Sequence, residues 1–308
     1  MKLVALAGGT GAAKFLRGLC CVVRPSDLTI IGNTGDDLDL WGLYISPDLD
    51  TVSYTLAGLV DEGKGWGRTD DTFQCRAQMA MLGNETFFAL GDKDLAIHLF
   101  RTEQLRSGMR LSRVTDELRR RMRLESELVP MSDDRVATRV ETPQGALAFQ
   151  EFFVRERCEP EVIDVSYEGA DRARPAPGVI EAIRAADVII LCPSNPISSL
   201  GPILAIPGLR RALVETRARV TAVSPVIGSA AVSGPAGKMM RAKGLEISAL
   251  GVADCYADLL DQLVIDRRDA ALTGPLFERG IRAVESDGMM VGRDEEIALA
   301  RATLEAAL

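Results

Sequence analysis

The sequence is short of histidine: His98 is the only one in 308 residues. No cluster of imidazoles can hold a metal here, and a Ser-His-Asp triad would have to be built on that one residue. Cysteine is sparse too. The six (Cys20, Cys21, Cys75, Cys158, Cys192, Cys255) form no C-x-x-C pair. That removes the common zinc frameworks, and scattered thiols of this kind read as small buried hydrophobes. Aromatics are 5% of the chain, so the core must be built from Ala, Val, Leu and Ile. No apolar run approaches the ~20 residues needed to span a bilayer. Positive charge is the minority sign, with 36 Lys and Arg against 44 Asp and Glu, for a net charge of −8. Such a balance suits neither nucleic-acid backbone contacts nor an anionic membrane surface, so neither partner is expected. The apolar run at residues 3–6 leads into glycines and fits no signal-peptide cleavage pattern, so the chain reads as cytoplasmic. Any metal it uses should be a hard cation bound by oxygen.

What is present is a repeating strand–helix grammar. Residues 3–6 form a short apolar run, Gly8-Gly9-Thr10-Gly11 breaks it, and residues 13–23 carry apolar side chains at helical spacing. A β-branched run at 28–31 follows. Strand–helix–strand with so short a connection implies parallel strands and a right-handed crossover. The second half repeats the pattern, with strands expected at 187–192, 219–224, 263–266 and 281–284 and a closing helix at 295–308. Alternation of this kind predicts an α/β fold, a Rossmann-like doubly wound and mostly parallel sheet, in one domain over 1–308. Residues from about 52 to 175 read differently, as an inserted helical region with a small antiparallel hairpin (135–141 and 146–151) around Pro143-Gln144-Gly145. The basic run Arg119-Arg120-Arg121 with Arg123 reads as a solvated helix face.

The chemistry-bearing residues gather at expected strand ends. Gly9, Thr10, Gly11 and Lys14 lie between the first strand and first helix, where glycines let a backbone approach a ligand and the helix N-terminus favours an anion. Alone, the loop could also be a tight βα turn, but its strand–loop–helix context favours phosphate binding. Gly32-Asn33-Thr34-Gly35-Asp36-Asp37 follows the second strand, and its carboxylates suit Mg²⁺ or an Asx-type turn. Ser46-Pro47-Asp48-Leu49-Asp50-Thr51 suits a helix start, with one aspartate as a cap. Two acidic clusters close behind a phosphate-type loop together look like a metal-diphosphate site. Three further polar stretches complete the set: Gly91-Asp92-Lys93-Asp94, Pro193-Ser194-Asn195-Pro196, and residues 224–238 with Gly228 and Lys238. His98 reads as a packed, hydrogen-bonded helix residue.

In this order, and with Met131-Ser132-Asp133-Asp134 and Ser233-Gly234-Pro235-Ala236-Gly237-Lys238, these segments resemble the CofD/FbiA family, the 2-phospho-L-lactate transferases of coenzyme F(420) biosynthesis. The resemblance runs from residue 1 to about 290. It implies transfer of a phospho-carboxylate unit (phospholactyl, phosphoenolpyruvyl or phosphoglyceryl) from a guanosine diphosphate-linked donor. The acceptor is the ribityl hydroxyl of 7,8-didemethyl-8-hydroxy-5-deazariboflavin, and GMP leaves. It further implies Mg²⁺ as cofactor and a homodimer. Metal binding would fall on Asp36, Asp37 and Asp50, and catalysis on Asp50 and Asp36, with Asp50 as base or metal ligand. Deazaflavin contacts would fall on Asp48, Asp50, Asp92 and Lys93, with Trp66 as an aromatic rest in its glycine loop. Guanine and phosphate contacts would fall on Gly9, Thr10, Gly11, Lys14, Asn33, Ser194, Asn195, Gly228 and Lys238. Many relatives have arginine where this chain has Lys93, which keeps the charge and loses the planar fork. A nucleotide-sugar-binding regulator of the YvcK type shares the glycine loop and is the alternative. A nicotinamide oxidoreductase is disfavoured, because Gly32-Asn33 stands where an acidic ribose ligand belongs.

Overall fold

A computed structural model describes all 308 residues. In chain order the strands are β1 (Leu3–Ala7), β2 (Leu28–Gly32), β3 (Leu38–Leu40), β4 (Leu43–Ile45), β5 (Glu127–Pro130), β6 (Ala137–Thr142), β7 (Gly145–Ala148), β8 (Asp164–Glu168), β9 (Val188–Leu191), β10 (Arg219–Val223), β11 (Val226–Ile227), β12 (Ala230–Ala231), β13 (Gln262–Asp266) and β14 (Arg282–Ser286). The first five helices are α1 (Gly9–Leu19), α2 (Pro47–Leu56), α3 (Gln74–Met81), α4 (Asp92–Arg106) and α5 (Leu111–Arg121).

Seven strands form one sheet in the order β14-β13-β10-β9-β1-β2-β5, and every pair is parallel. The apolar runs explain why. Every residue of β1, β9 and β13 is buried, as expected for strands covered by helices on both faces. Within β1, Val4 and Leu6 join the core on one face while Leu3, Ala5 and Ala7 join the core on the other. That is the period-two alternation of a strand serving two cores at once. The chain steps from β1 to β2 and β5 on one side, then returns to β9 on the far side of β1 and steps outward. The direction therefore reverses between β1 and β9. In an open α/β sheet, that reversal opens a crevice at the carboxyl ends of the strands. The doubly wound, mostly parallel sheet expected from the sequence is what forms.

The middle region is less separate than its sequence suggests. β5 lies inside residues 52–175, yet it pairs with β2 from Thr29↔Glu127 to Gly32↔Pro130 and forms an edge of the main sheet. Its run is four residues long, too short to stand out, and Pro130 sits at the strand's end, where a missing N–H is tolerated. The expected hairpin is β6–β7, closed at Thr142↔Gly145. β7 stops at Ala148, and Glu151–Arg155 forms a π-helical turn. A third strand, β8, pairs with the other side of β6. Its acidic ends, Asp164 and Glu168, are exposed and disguise a strand that buries Val165. No helix is long and apolar enough to cross a membrane.

α1 packs against the closing helix Arg293–Ala307 at backbone contact. A Cβ on Gly18 would lie 2.3 Å from the Glu296 carbonyl oxygen. Arg17 then holds the buried Glu296 side chain through Nε at 2.8 Å and Nη2 at 2.6 Å. Gly18→Ala should cost about 1–3 kcal/mol through overpacking, read as a lower urea midpoint. An unchanged midpoint would show that the two helices separate freely.

Candidate active site

The loops that leave β1 and β9 meet at the reversal point. A Cβ on Gly11 would lie 2.6 Å from the Pro193 carbonyl oxygen. One on Gly8 would lie 2.7 Å from Ser199 Cβ, 2.8 Å from Asp48 Oδ2 and 3.1 Å from Asn33 Cβ. Glycine is required at both positions because four segments converge there. Asn33 is the clamp among them. Its Nδ2 donates to Asp48 Oδ2 at 2.9 Å and to the Ser198 carbonyl at 3.4 Å, and its Oδ1 accepts from the Gly35 N–H at 2.8 Å. Asn195 shapes its own loop by accepting from Ile197 and Ser198 N–H groups. Ser194 Oγ accepts the Gly8 N–H at 3.4 Å.

Both acidic clusters reach this crevice. Pro47 opens α2, and Asp48 and Asp50 occupy its first turn, where the helix dipole favours negative charge. Ser46 Oγ does not cap α2. It donates to Asp37 Oδ1 at 2.7 Å. Asp36, Asp37, Asp48 and Asp50 are all buried, an arrangement that costs free energy unless the charges are compensated. Burial pushes the Asp36 carboxyl well above its ordinary value, and the Asp48 and Asp37 charges add to this against the Thr138 and Asn33 side chains. Burial pushes Asp37 up to about 8, against hydrogen bonds from Ser46 and Tyr44 and the Arg101 charge, with Asp50 adding to the rise. Burial takes Asp48 to about 6, opposed by Asn33 and the Gly9 N–H. Asp36 Oδ1, Asp37 Oδ2 and Thr138 Oγ1 are buried without a hydrogen-bond partner.

Asp50 is different. Arg101 grips it at two points, Nη1 to Oδ2 at 3.0 Å and Nη2 to Oδ1. Arg101 Nη1 also lies 3.3 Å from His98 Nδ1, and His98 Nε2 lies 3.2 Å from Asp94 Oδ2. Tyr54 Oη donates to Asp94 Oδ1 at 2.5 Å. His98 is thus the buried, hydrogen-bonded residue expected of it. Arg101 and Tyr54 are the residues that sequence reasoning missed. The available signal was the polar stripe Asp94, His98, Arg101, spaced i, i+4, i+7 along α4, which marks one buried helix face.

Several expected contacts are spent elsewhere. The Gly228 N–H donates to the Asp269 carboxylate at 2.9 and 3.0 Å. Lys238 Nζ donates to the carbonyls of Cys158, Glu159 and Pro160. Both are tied into loop structure rather than open to phosphate. Asp92 accepts from Thr72 Oγ1 and from the N–H groups of Gln74 and Cys75. It caps the start of α3, while Asp71 accepts the Lys93 and Asp94 N–H groups at the start of α4. Asp92 is therefore a cap rather than a ring contact. Lys93 Nζ, exposed, donates to the Thr69 carbonyl at 3.1 Å. Trp66 is 41% exposed in its glycine loop, with Lys64 Nζ 5.8 Å from its ring centroid. Thr10 is exposed and Lys14 half-buried on the first turns of α1.

No three Asp, Glu, His or Cys side chains converge at metal-ligand distance. Of the expected set Asp36, Asp37 and Asp50, Arg101 holds Asp50 in its own ion pair, and only Asp36 and Asp37 keep unpartnered oxygens. Asp36 and Asp37 fit a hard cation as a carboxylate pair. Each keeps a buried, unpartnered oxygen, and both line one cleft of about 520 Å³ with Arg135, Thr138, Phe149 and Arg155. Mg²⁺ characteristically takes one or two protein carboxylates and fills its octahedron with water and phosphate oxygens.

Fold and crevice together define a class: a Rossmann-like α/β protein with a carboxylate-lined crevice at the reversal point of its sheet. The model of the family described as 2-phospho-L-lactate transferase CofD matches residues 3–304, and this chain belongs to that family. It is 46% identical to the phosphoenolpyruvate transferase of Streptomyces griseus subsp. griseus over 313 aligned residues, covering 100% of this chain and 98% of that one. It is 42% identical to the 2-phospho-L-lactate transferase of Methanococcoides burtonii, covering 94% of each. A crystal structure of a UPF0052-family protein from Bacillus halodurans shares the fold, with a TM-score of 0.68 and 18% identity, over 98% of each chain.

The raised carboxyls make stability fall as pH rises. A group bound to its proton more tightly in the folded state penalises folding from its unfolded value, near 3.8, up to its folded value, about 8 for Asp37. With metal chelated, Asp37→Asn should raise the urea midpoint most at pH 8, and the gain should shrink steadily towards pH 4. A gain independent of pH would contradict burial of an uncompensated carboxylate.

Proposed function

We propose that this chain transfers a phosphoenolpyruvyl or phospholactyl unit from a guanosine diphosphate-linked donor to the terminal ribityl hydroxyl of 7,8-didemethyl-8-hydroxy-5-deazariboflavin. The observation that carries this reading is the convergence of Asp36, Asp37, Asp48 and Asp50 at the crevice, in a chain matched by the family model over residues 3–304. The acceptor oxygen forms a bond to the donor's distal phosphorus. The bond between that phosphorus and the bridging oxygen breaks, and GMP leaves with the electron pair. The hydroxyl proton passes to a carboxylate or to solvent. Chemistry of this kind is mostly positioning and charge stabilisation, and it needs no histidine or cysteine nucleophile.

Asp36 and Asp37 would hold Mg²⁺, which when bound supplies neutralising charge on the donor's diphosphate. Gly9, Thr10, Gly11 and Lys14 would present α1's positive end to that diphosphate. Asp50 is the carboxylate for the acceptor hydroxyl. The enolpyruvyl donor is favoured over the lactyl one. Relatives named phosphoenolpyruvate transferase match at 44–47% identity, and those named 2-phospho-L-lactate transferase at 40–43%.

The deciding assay offers purified protein the deazariboflavin, Mg²⁺ and each guanosine diphosphate-linked donor in turn, with mass spectrometry of the products. An acceptor enlarged by one phospho-carboxylate, with GMP released, is expected. No product from any donor, with retained nucleotide binding, would make the chain a binding protein instead.

Asp36→Asn should reduce transfer by at least about 10²-fold, while its urea midpoint at pH 8 rises because a carboxyl whose ionisation folding opposes is gone. Loss of both activity and stability would place Asp36 in the framework instead. Activity should also vanish on chelation and return with added Mg²⁺, and turnover indifferent to chelator would remove the cation from the reading.

A further inference from the structure

Among the four crevice aspartates, Asp50 is the one gripped at two points by a cation, and the grip is itself braced. Arg101 is the largest fully buried side chain in the molecule. Arg101 Nη1 lies 3.3 Å from His98 Nδ1, and the other ring nitrogen, Nε2, lies 3.2 Å from Asp94 Oδ2. Asp94 in turn takes the Tyr54 hydroxyl. Tyr54 and Asp50 are four residues apart on α2, while Asp94, His98 and Arg101 share one face of α4. The chain of contacts therefore leaves α2, runs along α4 and returns to α2 at Asp50. It is a closed bracket between two helices.

We infer that Arg101 is a positioning residue for the transfer: it fixes the Asp50 carboxylate in one orientation towards the acceptor hydroxyl, and the Tyr54–Asp94–His98 chain fixes Arg101. This rests on the transferase reading above. Two observations support a functional rather than a packing role. A buried ion pair contributes little more to stability than apolar side chains of similar volume, so packing alone gives no reason for five polar side chains here. A two-point guanidinium–carboxylate pair also removes rotation about the carboxylate while using only one acceptor site on each oxygen. Asp50 therefore keeps an acceptor site on each oxygen for a hydroxyl.

The test compares wild type, Arg101→Ala and Arg101→Lys. Steady-state transfer kinetics give kcat and KM for each substrate. Acceptor binding without turnover is read from deazaflavin fluorescence, and folding from circular dichroism. For Arg101→Ala, kcat should fall about 10²-fold, the usual effect of a misplaced reacting group, with donor KM and acceptor affinity within about threefold of wild type. Guanidinium chloride should restore part of that rate, while urea and sodium chloride at the same concentration should not. Arg101→Lys keeps the buried charge and so the fold, but not the fork, and its kcat should fall about tenfold. Variant rates within about threefold of wild type, or losses that track the unfolded fraction, would overturn the inference. So would a raised donor KM at unchanged kcat, which would make Arg101 a substrate contact. A wild type that makes no product with any donor would instead overturn the transferase reading itself.

Discussion

Four carboxylates share one buried crevice with a single buried guanidinium, Arg101. Coulomb repulsion in so dry a place is severe, and the structure relieves it unevenly. Asp50 receives the cation. Asp48 receives the Asn33 amide and faces the Gly9 N–H at the start of α1. Asp37 receives hydroxyl groups, and Asp36 is left with the least. The raised carboxyls follow directly from this order of compensation. The protein carries strain at its site that its core must offset, a common cost of a prepared binding site.

The fold explains how so much like charge comes together. The reversal between β1 and β9 leaves a gap at the strand ends, and connections leaving β1, β2 and β9 all turn over it. Glycines at 8 and 11 let those connections touch. Asn33 then ties the β2 loop to α2 and to the loop after β9. Its amide is an internal clamp, so its loss would loosen three segments together. The bracket between α2 and α4 does the same on the other flank, where helices outside the main sheet reach the crevice. The site is thus held from both sides by buried polar contacts, and the sheet beneath supplies the rigid floor.

Much of this was legible in the sequence, for physical reasons that differ by element. The strands β1, β2, β9, β10 and β13 announce themselves because burial on both faces demands an unbroken apolar run. β5 and β8 do not, since an edge strand of four residues and a strand with charged ends lack that signature. The acidic clusters were legible as a site because two of them stand close behind one glycine loop. Gly228, Lys238 and Asp92 were legible only as residue types suited to phosphate or ring contacts. Their donors and acceptors are consumed by Asp269, by the carbonyls of residues 158–160 and by the start of α3. Composition cannot separate a loop that binds a ligand from one that binds itself. Arg101 lay hidden for the opposite reason. It belongs to no motif, and only the i, i+4, i+7 spacing with Asp94 and His98 connects it to anything.

The charge imbalance also constrains how a ligand enters. On the transferase reading, a diphosphate would add negative charge to a crevice already rich in carboxylates and would need compensation. Lys14 and the positive end of α1 supply some. Arg135 and Arg155 line the cleft beside Asp36 and Asp37, and protons on the raised carboxyls or a cation held by Asp36 and Asp37 would supply the rest. Either source favours the donor and is favoured by it to the same degree, because linkage is reciprocal. The carboxylates that would repel a donor when bare would then be the groups that make its binding conditional on that compensation.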